Sequence, residues 1–120
     1  MKSSEPRVIV VTGAAKLDGI GAKTCQVFKD KEPDCKIVVL DVLEDRAREW
    51  MSSVDDSLFI RTDVSNKTDV ENAKRIVMEK YGRVDVLVCG SAYQGPGSLP
   101  LEDLSEESWR ACLDVNLTGT

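Results

Sequence analysis

At 120 residues, with 42% hydrophobic and 31% charged side chains, the chain is long enough for one modest core and reads as one soluble globular domain. Its 16 basic and 21 acidic residues leave a formal net charge of −5, which argues against a nucleic-acid backbone as partner, because that partner needs a basic stripe. No apolar run approaches the roughly 18 residues of a membrane span. The polar stretch Met1–Arg7 lacks the apolar region of a secretory signal, so a cytoplasmic location and no membrane partner are expected.

Along the chain, short apolar runs alternate with helical patterns. Arg7–Val11 (RVIVV) reads as a buried strand. Ile20–Asp30 places Gly21, Cys25 and Phe28 on one helix face, and Lys36–Leu40 (KIVVL) is a second strand. Glu44–Ser52 is a short polar helix with Ala47 and Met51 on one side, followed by a strand at Ser57–Arg61 (SLFIR). Lys67–Tyr81 is a longer helix with Val70, Ala73, Val77 and Tyr81 on its apolar face; Ser65 or Asn66 can cap it, and Gly82 terminates it. Val84–Val88 (VDVLV) is a fourth strand, residues 89–104 form a Gly- and Pro-rich loop, and Ser105 caps a last helix with Glu106 and Glu107 suited to its dipole. The order β-α-β-α-β-α-β-α, with near-continuous apolar strands, predicts an α/β fold: a Rossmann-like, doubly wound parallel sheet of about four strands in the order 3-2-1-4, with helices on both faces. No repeat or linker marks a boundary, so residues 1–120 read as a single partial domain.

The first strand runs into Thr12-Gly13-Ala14-Ala15-Lys16-Leu17-Asp18-Gly19-Ile20-Gly21, and a helix follows. In that context Gly13 permits the tight turn, Gly19 lets backbone approach a pyrophosphate, and Gly21 lets the helix pack on the strand. The first helical N–H groups then face a doubly negative ligand, favoured by the helix dipole. Ala22-Lys23-Thr24 has the ending of a P-loop, but that motif requires glycines where this chain has Leu17 and Ala22. Asp41 follows the second strand 20 residues after Gly21, where a carboxylate accepts hydrogen bonds from the adenosine ribose. It would repel a 2′-phosphate by about 1–4 kcal/mol at about 4 Å, favouring NAD over NADP, whereas Lys16 would pull the other way.

Other chemistries are disfavoured. The absence of histidine removes Ser-His-Asp and Cys-His catalysis. Cys25, Cys35, Cys89 and Cys112 show no C-x-x-C spacing, so no metal site is expected and all four read as small buried apolar residues.

These residues resemble the short-chain dehydrogenase/reductase family over essentially all of residues 7–120. Thr12-Gly13 with Gly19-Ile20-Gly21 resembles the family's T-G-x-x-x-G-x-G loop, although five residues rather than three separate Gly13 from Gly19. Asp63-Val64 resembles the D-V pair whose aspartate meets the adenine. Val86–Ala92 stands where the family has L-V-N-N-A-G, with Cys89, Gly90 and Ser91 at the cofactor-binding positions. Trp109–Gly119 resembles the helix carrying the catalytic asparagine, which falls on Asn116. In the family that helix is locally distorted, and a water bound there links to the catalytic lysine. The spacing of Trp109, Leu113 and Asn116 places the amide on an otherwise apolar face, where a buried amide needs backbone or water partners.

The resemblance implies a dinucleotide cofactor, a small alcohol or carbonyl substrate, and a homo-oligomeric intact enzyme that moves a hydride between nicotinamide and substrate carbon. The family's serine and Tyr-x-x-x-Lys group have no match here: Asp85 stands four residues after Tyr81, and Gly97 four after Tyr93. The chain thus reads as the N-terminal, cofactor-binding half, inactive alone, with VDVLV as an aggregation-prone edge. Tyr93 in the loop reaching to Pro100 reads as a packing residue near the nicotinamide. A non-catalytic dinucleotide-binding or interaction module is the alternative.

Overall fold

The computed structural model describes residues 5–95, 97 and 99–120. Met1–Ser4 of the polar N-terminus, and Pro96 and Ser98 of the Gly- and Pro-rich loop, lie outside the described residues. Four strands form one parallel sheet: β1 (Val8–Thr12), β2 (Lys36–Asp41), β3 (Ser57–Arg61) and β4 (Val86–Cys89), in the order β3-β2-β1-β4. The helices are α1 (Ile20–Lys31), α2 (Glu44–Met51), α3 (Lys67–Tyr81) and α4 (Glu106–Leu113). A 3-10 turn at Leu101–Asp103 interrupts what the sequence presents as continuous loop, and α4 runs into a π-helical turn at Asp114–Thr118.

The central strands are apolar at nearly every position because both sheet faces are covered. Successive strand residues point to opposite faces. Ile9, Val11, Ile37 and Val39 therefore meet Ala22 and Cys25 of α1 and Ala47, Trp50 and Met51 of α2. Val8, Val10, Val38 and Leu40 meet Ala73 and Val77 of α3 on the other side. This is the doubly wound arrangement expected from the alternation of elements.

Local signals set α3 as anticipated. Asn66 accepts a hydrogen bond from the Asp69 N–H at 3.1 Å, and Gly82 ends the helix at φ 73°. Val70, however, is exposed, so the buried face of α3 is narrower than its apolar spacing suggests. Several element ends also differ. β1 extends through Thr12, β2 through Asp41 and α1 through Lys31, while α2 stops at Met51. β4 starts at Val86 instead of Val84 because Asp85 caps the strand: its carboxylate accepts the Val8 N–H at 2.7 Å. The Arg83 guanidinium and this Val8 N–H hold the Asp85 carboxyl below the usual carboxylate range.

The cysteines divide. Cys25 and Cys35 are buried, and burial pushes the Cys25 thiol up to about 12, so it behaves as an inert apolar group. Cys89 is exposed and Cys112 half-buried, contrary to the expectation that all four are core residues. Cys89 sits on edge strand β4 on the same face as Leu87, itself 60% exposed, whereas Val86 and Val88 pack on the α1–α2 core.

An edge strand carrying exposed apolar side chains is a template for pairing. The 120-residue chain is expected to self-associate in sedimentation velocity, and Leu87→Lys to shift it toward monomer. A purely monomeric boundary at high concentration, unchanged by the lysine, would contradict this.

Candidate functional site

The strand order reverses between β1 and β4, so the connections leaving their carboxyl ends run to opposite faces of the sheet, the place where such a fold forms its crevice. Two residues close its floor. Thr12, at the end of β1, accepts hydrogen bonds through Oγ1 from the Gly90 and Ser91 N–H groups at 3.1 and 3.3 Å. Gly13 turns the chain at φ 75°, and a Cβ there would lie 2.5 Å from the Gly90 carbonyl oxygen. Gly13 is thus more than a turn residue: it allows the β1 turn to lie against the backbone after β4. A Cβ on Gly21 would lie 2.9 Å from Ala14 Cα, so this glycine lets α1 sit close against the turn after β1 rather than against the strand itself.

The glycine loop is fastened at Ala15, which is fully buried. Its N–H donates to Asp41 Oδ2 at 3.1 Å, and its carbonyl accepts the Trp50 indole N–H at 3.0 Å. Lys16, Leu17 and Asp18 are exposed, and the Gly19 N–H closes the turn on the Lys16 carbonyl at 3.0 Å. Helix α1 then starts at Ile20 with no capping side chain and no acidic residue in its first turn. The other helices differ: α3 and α4 have side-chain caps from Asn66 and Ser105, and α2 carries Glu44 and Asp45 in its first turn. Helix N–H groups left without a capping side chain are what an external anion needs.

Beside the switch point lies a crevice of about 820 Å³. Gly13, Asp41, Asp63, Val64 and Ser91 line it, together with Arg110 of α4. Gly19 and Ile20 instead border a second cavity, of about 640 Å³, along the outer side of α1. Thr12, Ala15, Gly21 and Gly90 act from behind as supports, while Lys16 and Cys89 line neither cavity.

Asp41 is more heavily engaged than its position alone suggests. Besides Ala15, it accepts the N–H groups of Val42 and Leu43 at 2.7 and 3.1 Å. A carboxylate offers about four acceptor positions, so there is room for about one further donor. Asp63 shapes its own turn by accepting from the Ser65 N–H and hydroxyl at 2.9 and 2.6 Å.

Asn116 corrects one expectation and supports another. The helix face carrying it is open: Asn116 is exposed, with Trp109 55% and Leu113 44% exposed. Both ends of its amide are nevertheless engaged. The Tyr93 N–H donates to Oδ1 and Nδ2 donates to the Tyr93 carbonyl, each at 2.8 Å. Tyr93 therefore serves through its backbone, its side chain being 39% exposed rather than packed. The helix is distorted around Asn116, with the Gly119 N–H reaching back five residues to the Asp114 carbonyl at 2.7 Å.

Sequence reasoning missed Trp50 and the α4 side of the crevice. A signal for Trp50 was present, because Ala47, Trp50 and Met51 form one i, i+3, i+4 stripe on a helix that is otherwise polar. No such signal links Glu106, Glu107, Arg110 or Asp114 to a crevice. Among the described residues, no helix is long and apolar enough to cross a membrane.

The reversed strand order, the glycine turn and the crevice at the carboxyl ends define a Rossmann-type α/β domain. The sequence pattern of the short chain dehydrogenases matches residues 7–120, and the chain belongs to that family. It is 32% identical over 115 residues to short-chain dehydrogenase reductase 5 of Arabidopsis thaliana, covering 94% of this chain and 42% of that protein. It is 34% identical over 114 residues to L-fucose dehydrogenase of Oryctolagus cuniculus, covering 95% of this chain and 38% of that protein. Among solved structures, the NADH complex of 3-ketoacyl-(acyl-carrier-protein) reductase from Brucella melitensis superposes with a TM-score of 0.83 at 27% identity, covering 98% of this chain and 46% of that one. The chain spans less than half the length of these relatives.

Proposed function

We propose that this chain is the cofactor-holding part of an NAD-dependent oxidoreductase that interconverts an alcohol and a carbonyl by hydride transfer. The observation that carries this reading is the start of α1, which follows a glycine turn and has neither a capping side chain nor an acid in its first turn. Backbone N–H groups of Ile20 and Gly21 would hold the pyrophosphate, with Gly19, whose own N–H is bonded to Lys16, allowing its close approach. Ala15 and Lys16 belong to the same cradle; Ala15 fixes its path and Lys16 adds a cation at its exposed rim. Asp41 would take a ribose hydroxyl, and Asp63 with Val64 would face the adenine. Thr12 holds Gly90 and Ser91, after Cys89, in a segment that would serve the second ribose. When bound, the nicotinamide supplies the hydride donor or acceptor. Asn116 is assigned to the proton path; it holds Tyr93 at the rim and lies within the distorted turn.

The crevice favours a cofactor without a 2′-phosphate. Asp41, Asp63, Glu106, Glu107 and Asp114 all border it, and Arg110 is already paired with Glu106 at 3.1 Å. An added phosphate beside Asp41 would be penalised by about 1–4 kcal/mol. Calorimetric titration of the 120-residue chain should therefore give NADH an affinity several-fold to several-hundred-fold above that of NADPH. Equal or tighter NADPH binding would defeat the NAD assignment, and binding of neither would defeat the cofactor reading itself.

A further inference from the structure

We propose that Trp50 is a positioning residue for the cofactor loop: its indole N–H and the Asp41 carboxylate clamp Ala15 from its two backbone sides, confining the slack of the lengthened loop to Lys16–Asp18. This rests on the dinucleotide reading and adds the device that keeps the loop ready to bind.

A longer loop has more conformations to lose when it binds a ligand. Here the added length is walled off. Ala14 and Ala15 are buried at 1% and 0% exposure, Leu17 is 52% exposed, and Gly19 closes back on Lys16. The wall is the Ala15 backbone, whose N–H goes to Asp41 and whose carbonyl goes to Trp50.

Trp50 is well suited to this use. It is 4% exposed and belongs to the same core cluster as Ala14, Ala15 and Ala47. An aliphatic residue at position 50 could fill that space, but only a donor can satisfy the buried Ala15 carbonyl. The indole therefore couples α2, which contributes nothing to the crevice lining, to the loop at the start of α1. Without its N–H, the carbonyl gains by turning toward water. The binding-ready population then falls, and apparent affinity falls by the same fraction.

Trp50→Phe keeps an aromatic ring and removes the donor. Its NADH affinity should drop about tenfold, and amide exchange at residues 14–19 should quicken while β1 and β2 stay protected. Val38→Ala serves as the stability control, since Val38 is buried on the sheet face away from the loop. It should lower the melting temperature while leaving loop exchange and NADH affinity unchanged.

Wild-type affinity or wild-type loop exchange in Trp50→Phe would overturn the clamp while leaving the cofactor reading intact. The clamp also fails if Val38→Ala weakens NADH binding as much, because the effect would then follow global stability. Absence of NADH and NADPH binding by the unsubstituted chain would overturn the cofactor reading, and with it the role given to Trp50.

Discussion

Gly13→Ala should lower the melting temperature by about 15 °C or more, or leave the chain unfolded at room temperature. Two costs add at this position. A side chain at φ 75° incurs the left-handed penalty of about 1–2 kcal/mol. The new Cβ would also lie 2.5 Å from the Gly90 carbonyl oxygen and 2.7 Å from Ser91 Cα, both backbone atoms that cannot rotate away. Separating the β1 turn from residues 90–91 would also strain the two hydrogen bonds on Thr12 Oγ1. A combined loss of about 3–5 kcal/mol is a large part of the stability of an ordinary domain.

Gly82 provides a matched comparison. Its φ is 73°, nearly the same, yet nothing lies within 4 Å of where its Cβ would stand. Gly82→Ala should therefore show the backbone penalty alone, about 1–2 kcal/mol. Thermal melts of the two variants, followed by circular dichroism, separate strain from collision. Equal melting temperatures would refute the close approach of the glycine turn to the segment after β4.

The second large effect is expected at Asp41. Asp41→Ala strips the acceptor from three backbone N–H groups, those of Ala15, Val42 and Leu43. Two of these bonds are solvent-exposed and one is part-buried, so the loss should be about 2–4 kcal/mol, below the sum for fully buried charged bonds. NADH affinity should fall as well, because the same carboxylate anchors the glycine loop. Asp41→Asn separates these roles. It keeps an acceptor oxygen but removes the charge, so the preference for NADH over NADPH should narrow toward parity with a smaller drop in melting temperature. An alanine variant that melts like the unsubstituted chain would show that the three bonds carry no stability. An asparagine variant with unchanged cofactor preference would show that the charge does not discriminate.

Much of this molecule is legible from the chain. The runs VIVVT and KIVVLD are apolar at nearly every position, which suits only strands covered on both faces. Asn66 and Gly82 marked the ends of α3 by local chemistry, through a side-chain acceptor and a left-handed glycine. The glycines between β1 and α1 pointed to the candidate site, because strand, turn and helix are contiguous there. Other features were misjudged for lack of distant partners. Nothing near Cys89 or Asn116 in sequence discloses that both are exposed, since the cover over β4 and over the α4 face depends on the rest of the fold.

What the sequence alone determined is therefore the alternation of elements, the sheet order, the family resemblance and the position of the glycine turn. The elements follow from periodicity and from interactions between residues a few positions apart, the sheet order from the handedness of parallel crossovers, and the resemblance from the quoted motifs. The tertiary structure decided how the site is held. The Trp50–Ala15 bond spans 35 residues, Thr12–Gly90 spans 78 and Asn116–Tyr93 spans 23. In each, a backbone group is paired with a side chain whose reach is set by packing, and no local pattern specifies which distant donor meets which acceptor.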